Sequence, residues 1–391
     1  MMSTRKFIPA QTVPGRWVRV LAGYRAFHPD PLPPKLVWSD RLVRALSDAD
    51  QLIGRLAGEG RRLPNPHVLI RPFVRREAVL SSRIEGTQAT LGELLAAEAG
   101  AVVSCSPDDL REVSNYVVAL EHGMERLKTL PLCLRLVREV HEKLMRGVRG
   151  DHATPGEFRR SQNWIGPAGC TLQDARYVPP PPDAMIDCLG AWEKFLHDRS
   201  LPPLVQIAMA HYQFEAIHPF LDGNGRVGRL LITLFLIERK ILPSPLLYVS
   251  AFFEATRRDY YDGLSAVSER GDWSLWLEYF LRAVSRQSED ALSRAGRINQ
   301  QLETWRNMVA GSRVPMLVVE LLAANPFLTV RNVQRELKTS YNTASRAIAV
   351  LEEKGIVQPV SEAKRNRAYC ARAILEILEE PARLVPEHNG G

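Results

Sequence analysis

Between His218 and Arg229 the sequence reads HPFLDGNGRVGR, which places one imidazole, one carboxylate, one amide, two guanidiniums and three glycines within twelve positions. Residue types of this kind, packed this closely, make an anion site with a base beside it. The preceding segment, Leu204 to Ile217, has helical character, and the one that follows, Val227 to Ile241, is a strongly apolar helix-like run. The polar stretch is therefore expected to open a helix. Amides at a helix start lack intrahelical partners and point at whatever sits there, and Gly223 and Gly225 let the main chain approach an anion closely. Phosphate is the expected guest.

Three other readings compete. An Asn-Gly hairpin turn needs alternating flanks, and these flanks follow helical spacing instead. A calcium loop starting at Asp222 would need Gly and a carboxylate where Val227 and Thr233 stand. An ordinary P-loop needs Gly-Lys-Ser/Thr after its glycines, and no such triplet follows.

The string His-x-Phe-x-Asp-Gly-Asn-Gly-Arg-x-x-Arg resembles the signature of the Fic family, whose members transfer AMP from ATP onto protein hydroxyls. The resemblance implies roles. His218 is the general base; Asp222 holds Mg²⁺; Gly223, Asn224 and Gly225 bind the α-phosphate; Arg226 and Arg229 orient the β- and γ-phosphates; Phe220 packs inward and fixes the loop. The implied substrate is ATP, used with Mg²⁺.

Upstream, Phe73 to Leu95 is rich in helix formers and contains Ser81-Ser82-Arg83-Ile84-Glu85-Gly86. Ser81 and Glu85, four apart, share a helix face, which by spacing alone fits a solvated polar stripe. The string also resembles the inhibitory helix of many Fic proteins, Ser/Thr-x-x-x-Glu-Gly/Asn. That resemblance implies that Glu85 reaches Arg229 and occupies the space of the ATP γ-phosphate, so that the chain holds itself off.

Residues 150–185 form a Gly- and Pro-rich stretch long enough to be functional. It resembles the family segment with Gly-x-Phe-Arg and Trp-Ile-Gly, followed by a hairpin flap at about Cys170 to Val178 that holds the target chain by strand pairing. Pro179 to Pro182 also reads as a rigid connector. Farther on, Tyr260, Tyr261, Leu264, Trp273, Trp276 and Phe280 fit an aromatic helical core. The resemblance gives Tyr260 or Tyr261 a second reading, in the nucleotide pocket. His141 reads as a packing histidine, because no metal-type partner lies four residues away.

The remaining elements follow from periodicity. Residues 1–34 read as an extended arm. Leu42, Leu46, Ala49, Ile53 and Leu56 mark a helix from Lys35 to Gly58. Ser106-Pro107-Asp108-Asp109 starts a helix reaching Lys128, with Ser at the N-cap and Pro at the first position. Helices are also expected over Leu132–Arg146, Ala184–His197 and Glu289–Met308. Beyond these, short helices over Val314–Ala323, Thr329–Leu337 and Tyr341–Lys354, then two strands around a charged tip, resemble a winged helix-turn-helix. Between Arg331 and Arg372 stand nine Lys or Arg and four Asp or Glu. Phosphate contacts from Lys364, Arg365 and Arg367 would bind DNA; protein docking or dimerisation is the alternative use.

The fold class expected is mainly α: a Fic helical core with a small β-hairpin flap, and a C-terminal winged helix. The division is 1–110 with the inhibitory helix, 111–300 as catalytic core and 301–391 as winged helix and tail. At 391 residues, 45% hydrophobic and 24% charged, with a formal charge of +7, the chain has an ordinary soluble composition. Leu230 to Ile237 is too short to span a bilayer, and the N-terminus lacks an apolar signal region. Five cysteines without CxxC spacing suit a cytoplasmic protein with reduced thiols. The implied partners are proteins presenting a Ser, Thr or Tyr hydroxyl, the chain itself among them. DNA and a second copy of the chain are further candidates, and no membrane is expected. A DNA-binding regulator whose core senses nucleotide without catalysis is the alternative function.

Overall fold

In the computed structural model the described residues are 14–20, 23–62, 66–148, 154–167, 169–360 and 367–385. They form mostly helices, beginning with a strand pair that the sequence did not signal. Strands β1 (Gly15–Arg19) and β2 (Arg25–Pro29) pair antiparallel, with Trp17 opposite Phe27. The expected extended arm is thus a hairpin in this part. Five-residue strands carrying Arg and Pro give too little alternation to be read.

Helix α1 (Asp40–Arg62) buries Leu42, Ala49, Ile53 and Leu56, as their spacing requires. The segment expected as one helix over Phe73–Leu95 is two, α2 (Pro66–Ile84) and α3 (Leu91–Glu98). The break falls at Glu85-Gly86, where Gly86 takes φ +102°, a left-handed conformation that a helix cannot contain. Thr90 and Glu93 then close a reciprocal capping box that starts α3. Ser106 caps α4 (Pro107–Arg126), and α5 (Leu134–Met145) follows.

Helices α6 (Pro182–Leu196), α7 (Pro203–Ile217) and α8 (Asn224–Glu238) complete the centre, with α7 packed on both its neighbours. Nearly every residue of α7 and α8 is buried, so this pair has no amphipathic face. Helix α8 begins at Asn224, three residues earlier than its apolar run suggests. The bases of the site are thus the rigid ends of two core helices.

Helices α9 (Ser250–Ala255) and α10 (Arg257–Arg270) lead into α11 (Trp273–Met308), one continuous helix of 36 residues. The aromatic run and the polar helix from Glu289 are one element. Consequently the expected boundary at 300/301 falls inside α11, and the one at 110/111 inside α4. Helix α1 lies along α11, while α2 is flanked by α4, α9 and α12 (Arg313–Ala324).

After α12 come β3 (Phe327–Thr329), α13 (Val330–Glu336), α14 (Tyr341–Glu353), β4 (Gln358–Pro359) and β5 (Ala368–Cys370), in a three-stranded sheet of order β3-β5-β4. β3 is the strand that the sequence did not show. Helix α15 (Arg372–Glu379), also unforeseen, packs on α11, α2 and α3. Arg294, buried in α11, bonds Asp290 at 2.8 Å and the Glu380 and Pro381 carbonyls at 3.0 Å each. Asn325 and Thr329 donate to the Leu95 and Ala99 carbonyls of the α3 region. Among the described residues no helix is long and apolar enough to cross a membrane, and the five cysteines are free.

Candidate active site

The twelve-residue stretch links the C-terminus of α7 to the N-terminus of α8. His218 caps α7 in a left-handed conformation, φ 49°, which turns the chain abruptly out of the helix. Its backbone is held from below. Arg159, 2% exposed, donates Nε to the His218 carbonyl at 2.9 Å and Nη groups to the Ser161, Pro180 and Ile217 carbonyls. Asn163 Nδ2 reaches the carbonyls of His218 and Phe220 at 3.3 and 2.8 Å. Phe220 is buried and stacks on His141 at 3.7 Å between ring centroids.

His141 does more than fill space. The Gly156 amide donates to its Nδ1 at 2.9 Å, so the proton is on Nε2, which donates to the Asp222 carbonyl at 3.1 Å. Burial lowers its pKa to about 4, keeping the ring neutral. A neutral histidine thus joins the 154–160 segment to the loop.

His218 obeys the same logic. Its Nδ1 lies 3.3 Å from the Glu215 carbonyl, which can only accept; the Nδ1 proton is therefore fixed, and the Nε2 lone pair is left free. Burial lowers its pKa to about 4, against the pull of that hydrogen bond. At neutral pH the ring is a base with its reactive nitrogen unprotonated.

The loop ends in an open helix start. Gly223 takes φ +78°, where a side chain would be strained. The first bond into the helix runs from the Val227 amide to the Gly223 carbonyl at 3.0 Å, so the amides of Asn224, Gly225 and Arg226 precede the helical ladder. Asn224 also has a structural role. It is 2% exposed, its Oδ1 accepts from the Phe220 amide and its Nδ2 donates to the Phe220 carbonyl, both at 2.8 Å. With both ends of its side chain engaged it staples the loop, and the second Nδ2 hydrogen remains available to a phosphate.

The two arginines differ. Arg226, 4% exposed, has charge contacts to Glu112 at 3.7 Å and Asp222 at 3.6 Å and a bond to Met145 Sδ, yet its buried Nε and Nη1 have no hydrogen-bond partner. Buried donors of this kind are costly when unpaired and suit an incoming anion. Arg229, 1% exposed, is held by the end of α2 through two of its nitrogens: Nε to Ser81 Oγ and Nη2 to the Ser81 carbonyl at 2.9 Å each, and Nη2 to Glu85 Oε1 at 2.7 Å. Burial opposes ionisation of Glu85, but the Arg229 charge and hydrogen bond outweigh it and hold the carboxyl below its usual range. Gly225 makes this approach possible, because a Cβ there would stand 2.3 Å from Glu85 Oε1.

Asp222 is exposed, and its Oδ1 takes both the Gly223 amide and the Arg226 contact. Among the described residues no cluster of three or more His, Cys, Asp or Glu could hold a metal. A single exposed carboxylate suits Mg²⁺, which keeps waters and shares phosphate oxygens of its substrate.

The two tyrosines part company. Tyr260, 1% exposed, stacks on Phe253 at 4.5 Å, and its hydroxyl lies 2.9 Å from His211 Nε2. It belongs to the aromatic core and offers no face to a nucleotide. Tyr261 lines a cleft with Trp17, Tyr177, Glu215 and Leu264. The flap beside this cleft is less regular than expected: one antiparallel bridge joins Ile165 to Tyr177 in place of a hairpin ladder. Strand β2 continues it, the Phe27 amide donating to the Val178 carbonyl at 2.8 Å. Glu215 was not singled out by the sequence. Its Oε1 is buried without a partner, and burial raises its pKa to about 7. Its place in the last turn of α7, three residues before His218, was the available signal.

Residues 43–125 match the Fic/DOC family N-terminal model and residues 131–236 the Fic/DOC family model. Over these residues the chain carries a Fic/DOC domain with the family's N-terminal region ahead of it. A Fic family protein from Desulfovibrio desulfuricans G20 shares its fold, with a TM-score of 0.59 at 23% identity over 87% of this chain and 98% of that one. Protein adenylyltransferase fic-1 of Caenorhabditis briggsae is 30% identical over 224 residues, 54% of this chain and 39% of that protein. Protein adenylyltransferase Fic of Drosophila virilis is 28% identical over 222 residues, 56% of this chain and 40% of its own length. The chain thus spans about two-fifths of the length of these curated relatives.

Proposed function

We propose that this chain transfers AMP from ATP to a Ser, Thr or Tyr hydroxyl of a protein, itself included, and that Glu85 holds it off at rest. The observation that carries the reading is the juxtaposition of a neutral His218, an open helix N-terminus and an Arg229 already paired to a carboxylate. In the reaction His218 Nε2 takes the hydroxyl proton as the oxygen bonds to the α-phosphorus. The bond to the bridging oxygen breaks, and pyrophosphate leaves. Amides 224–226 meet the charge growing on the α-phosphate, while Arg226 and Arg229 hold the leaving phosphates. Mg²⁺ held by Asp222 would neutralise phosphate charge. Tyr261 and Trp17 offer faces to the base. With Glu85 in place, Arg229 is unavailable and the γ-phosphate position is filled.

The test uses labelled ATP and Mg²⁺ with wild type, Glu85→Gly and His218→Ala. Label on protein should rise in Glu85→Gly and vanish when His218→Ala is added. A Glu85→Gly protein no faster than wild type sinks the inhibitory assignment, and no label in any variant sinks the transferase.

A second reading concerns the C-terminal elements from α12 to β5, which fit a winged helix-turn-helix following the catalytic core. On α14, Ala344, Ala347, Ile348 and Leu351 are buried, whereas Asn342 and Arg346 are exposed. That face and the local positive charge suit DNA. Lys364 and Arg365 lie outside the described residues. Binding to duplex DNA should weaken steeply with salt, and salt-independent or absent binding would leave the module to protein contacts.

A further inference from the structure

Arg226 is the less satisfied of the two motif arginines, and besides Asp222 within the loop it is held by a carboxylate from outside it. Glu112, buried on α4, brings Oε2 to 3.7 Å from Arg226 Nη1. The same oxygen accepts a hydrogen bond from Thr87 Oγ1 at 2.6 Å. Thr87 stands two residues beyond Glu85, in the turn that ends α2, and its amide donates back to the Ser82 carbonyl at 3.2 Å. The next residue is tied to α4 as well, the Gln88 amide donating to Asp109 Oδ2 at 3.3 Å. One turn of chain therefore addresses both arginines: Glu85 bonds Arg229 directly, and Thr87 meets Arg226 through Glu112.

We propose that Glu112 is the positioning residue of Arg226 for nucleotide binding, and that Thr87 steadies it, tying that arginine to the inhibitory turn. The proposal rests on the reading that the loop takes ATP, and adds to it the residues that aim its first arginine. A buried guanidinium stays charged, and a nearby carboxylate offsets its desolvation and orients it. Glu112 supplies the charge from 3.7 Å without a hydrogen bond to Arg226 Nη1, which leaves Nε and Nη1 open to a phosphate. Thr87 fixes the carboxylate because its short bond occupies the oxygen nearest the arginine.

Simple charge repulsion and positioning make opposite predictions. Removing a carboxylate beside an anion site should tighten ATP if only charge matters. It should weaken ATP if the carboxylate aims the arginine. The experiment measures ATP affinity with Mg²⁺ by calorimetry in the full chain carrying Glu85→Ala, which frees Arg229 without adding a second glycine to the turn. On that parent, Glu112→Gln should weaken ATP roughly tenfold, about 1.4 kcal/mol. Thr87→Val should cause a smaller loss in the same direction, and Thr87→Ser, which keeps the hydroxyl, should restore parental affinity. Thermal melting checks that each variant folds, and the threonine pair carries the test if Glu112→Gln does not. Unchanged or tighter ATP binding by folded Glu112→Gln overturns the proposal, as does Thr87→Ser as weak as Thr87→Val. Failure of the Glu85→Ala parent to bind ATP overturns the nucleotide reading as a whole.

Discussion

The Glu85 carboxylate stands 2.7 Å from Arg229 Nη2 and packs against Gly225, so one side chain both occupies the cation and covers the helix start where an anion would sit. The two effects separate by substitution. Glu85→Gly removes both, whereas Glu85→Gln keeps the bulk and one acceptor but loses the charge. Labelling rates should rank Glu85→Gly above Glu85→Gln above wild type, with the first at least roughly tenfold over the last, about 1.4 kcal/mol of barrier. Equal rates for Gln and Gly would mean that charge alone blocks the site.

The loop staple is a matter of stability before it is one of chemistry. Asn224→Ala removes two hydrogen bonds to Phe220, leaving a buried amide without its acceptor, at a cost of about 2–4 kcal/mol. Asn224→Asp can still accept from that amide but cannot donate to the carbonyl, and should also destabilise. Melting temperature is the readout. If Asn224→Ala melts like wild type yet loses ATP binding, Asn224 is a phosphate ligand after all.

Acidity offers a third check. A depressed histidine pKa means that the base survives into acid. The labelling rate of Glu85→Gly, measured as kcat/KM, should show no His218 inflection near 6.5, the loss of base appearing only as pH falls toward about 4. Glu215, raised to about 7, is the group that titrates near neutrality, and an inflection there should vanish in Glu215→Gln. Its raised pKa means that ionisation is disfavoured by folding. Stability is therefore lost as pH rises through 7, and Glu215→Gln should gain melting temperature more at pH 8 than at pH 5. Glu85 behaves oppositely: its pairing is present above the ordinary carboxylate pKa and lost only below its depressed folded value, so mild acid leaves the Glu85–Arg229 ion pair intact.

What could be read from the sequence followed from how local its cause was. The Gly223 turn, the Ser106 cap and the faces of α1 and α14 depend on neighbours in the chain, and their residue types show it. The staple from Asn224 to the Phe220 backbone is invisible in the sequence, because a backbone partner carries no residue signal. Tyr260 and Tyr261 share a type and differ in fate, because α10 turns one to the core and the other to the cleft. The α2–α3 break was hidden by strong helix formers on both sides of Gly86. The continuity of α11 was masked by its change from aromatic to polar residues, which reflects a change of neighbours along a single rod. Arg159 and Asn163 act on carbonyls more than fifty positions away, and only the fold brings those together.

The pairing of Glu85 with Arg229 also has a direction in time. Glu85 precedes Arg229 by 144 positions. On a ribosome adding about 5–20 residues per second, Glu85 is made roughly 7–30 s before Arg229. Under the proposed autoinhibition, the nascent chain carries its restraint before the loop it restrains is complete, and the newborn protein need pass through no unguarded stage.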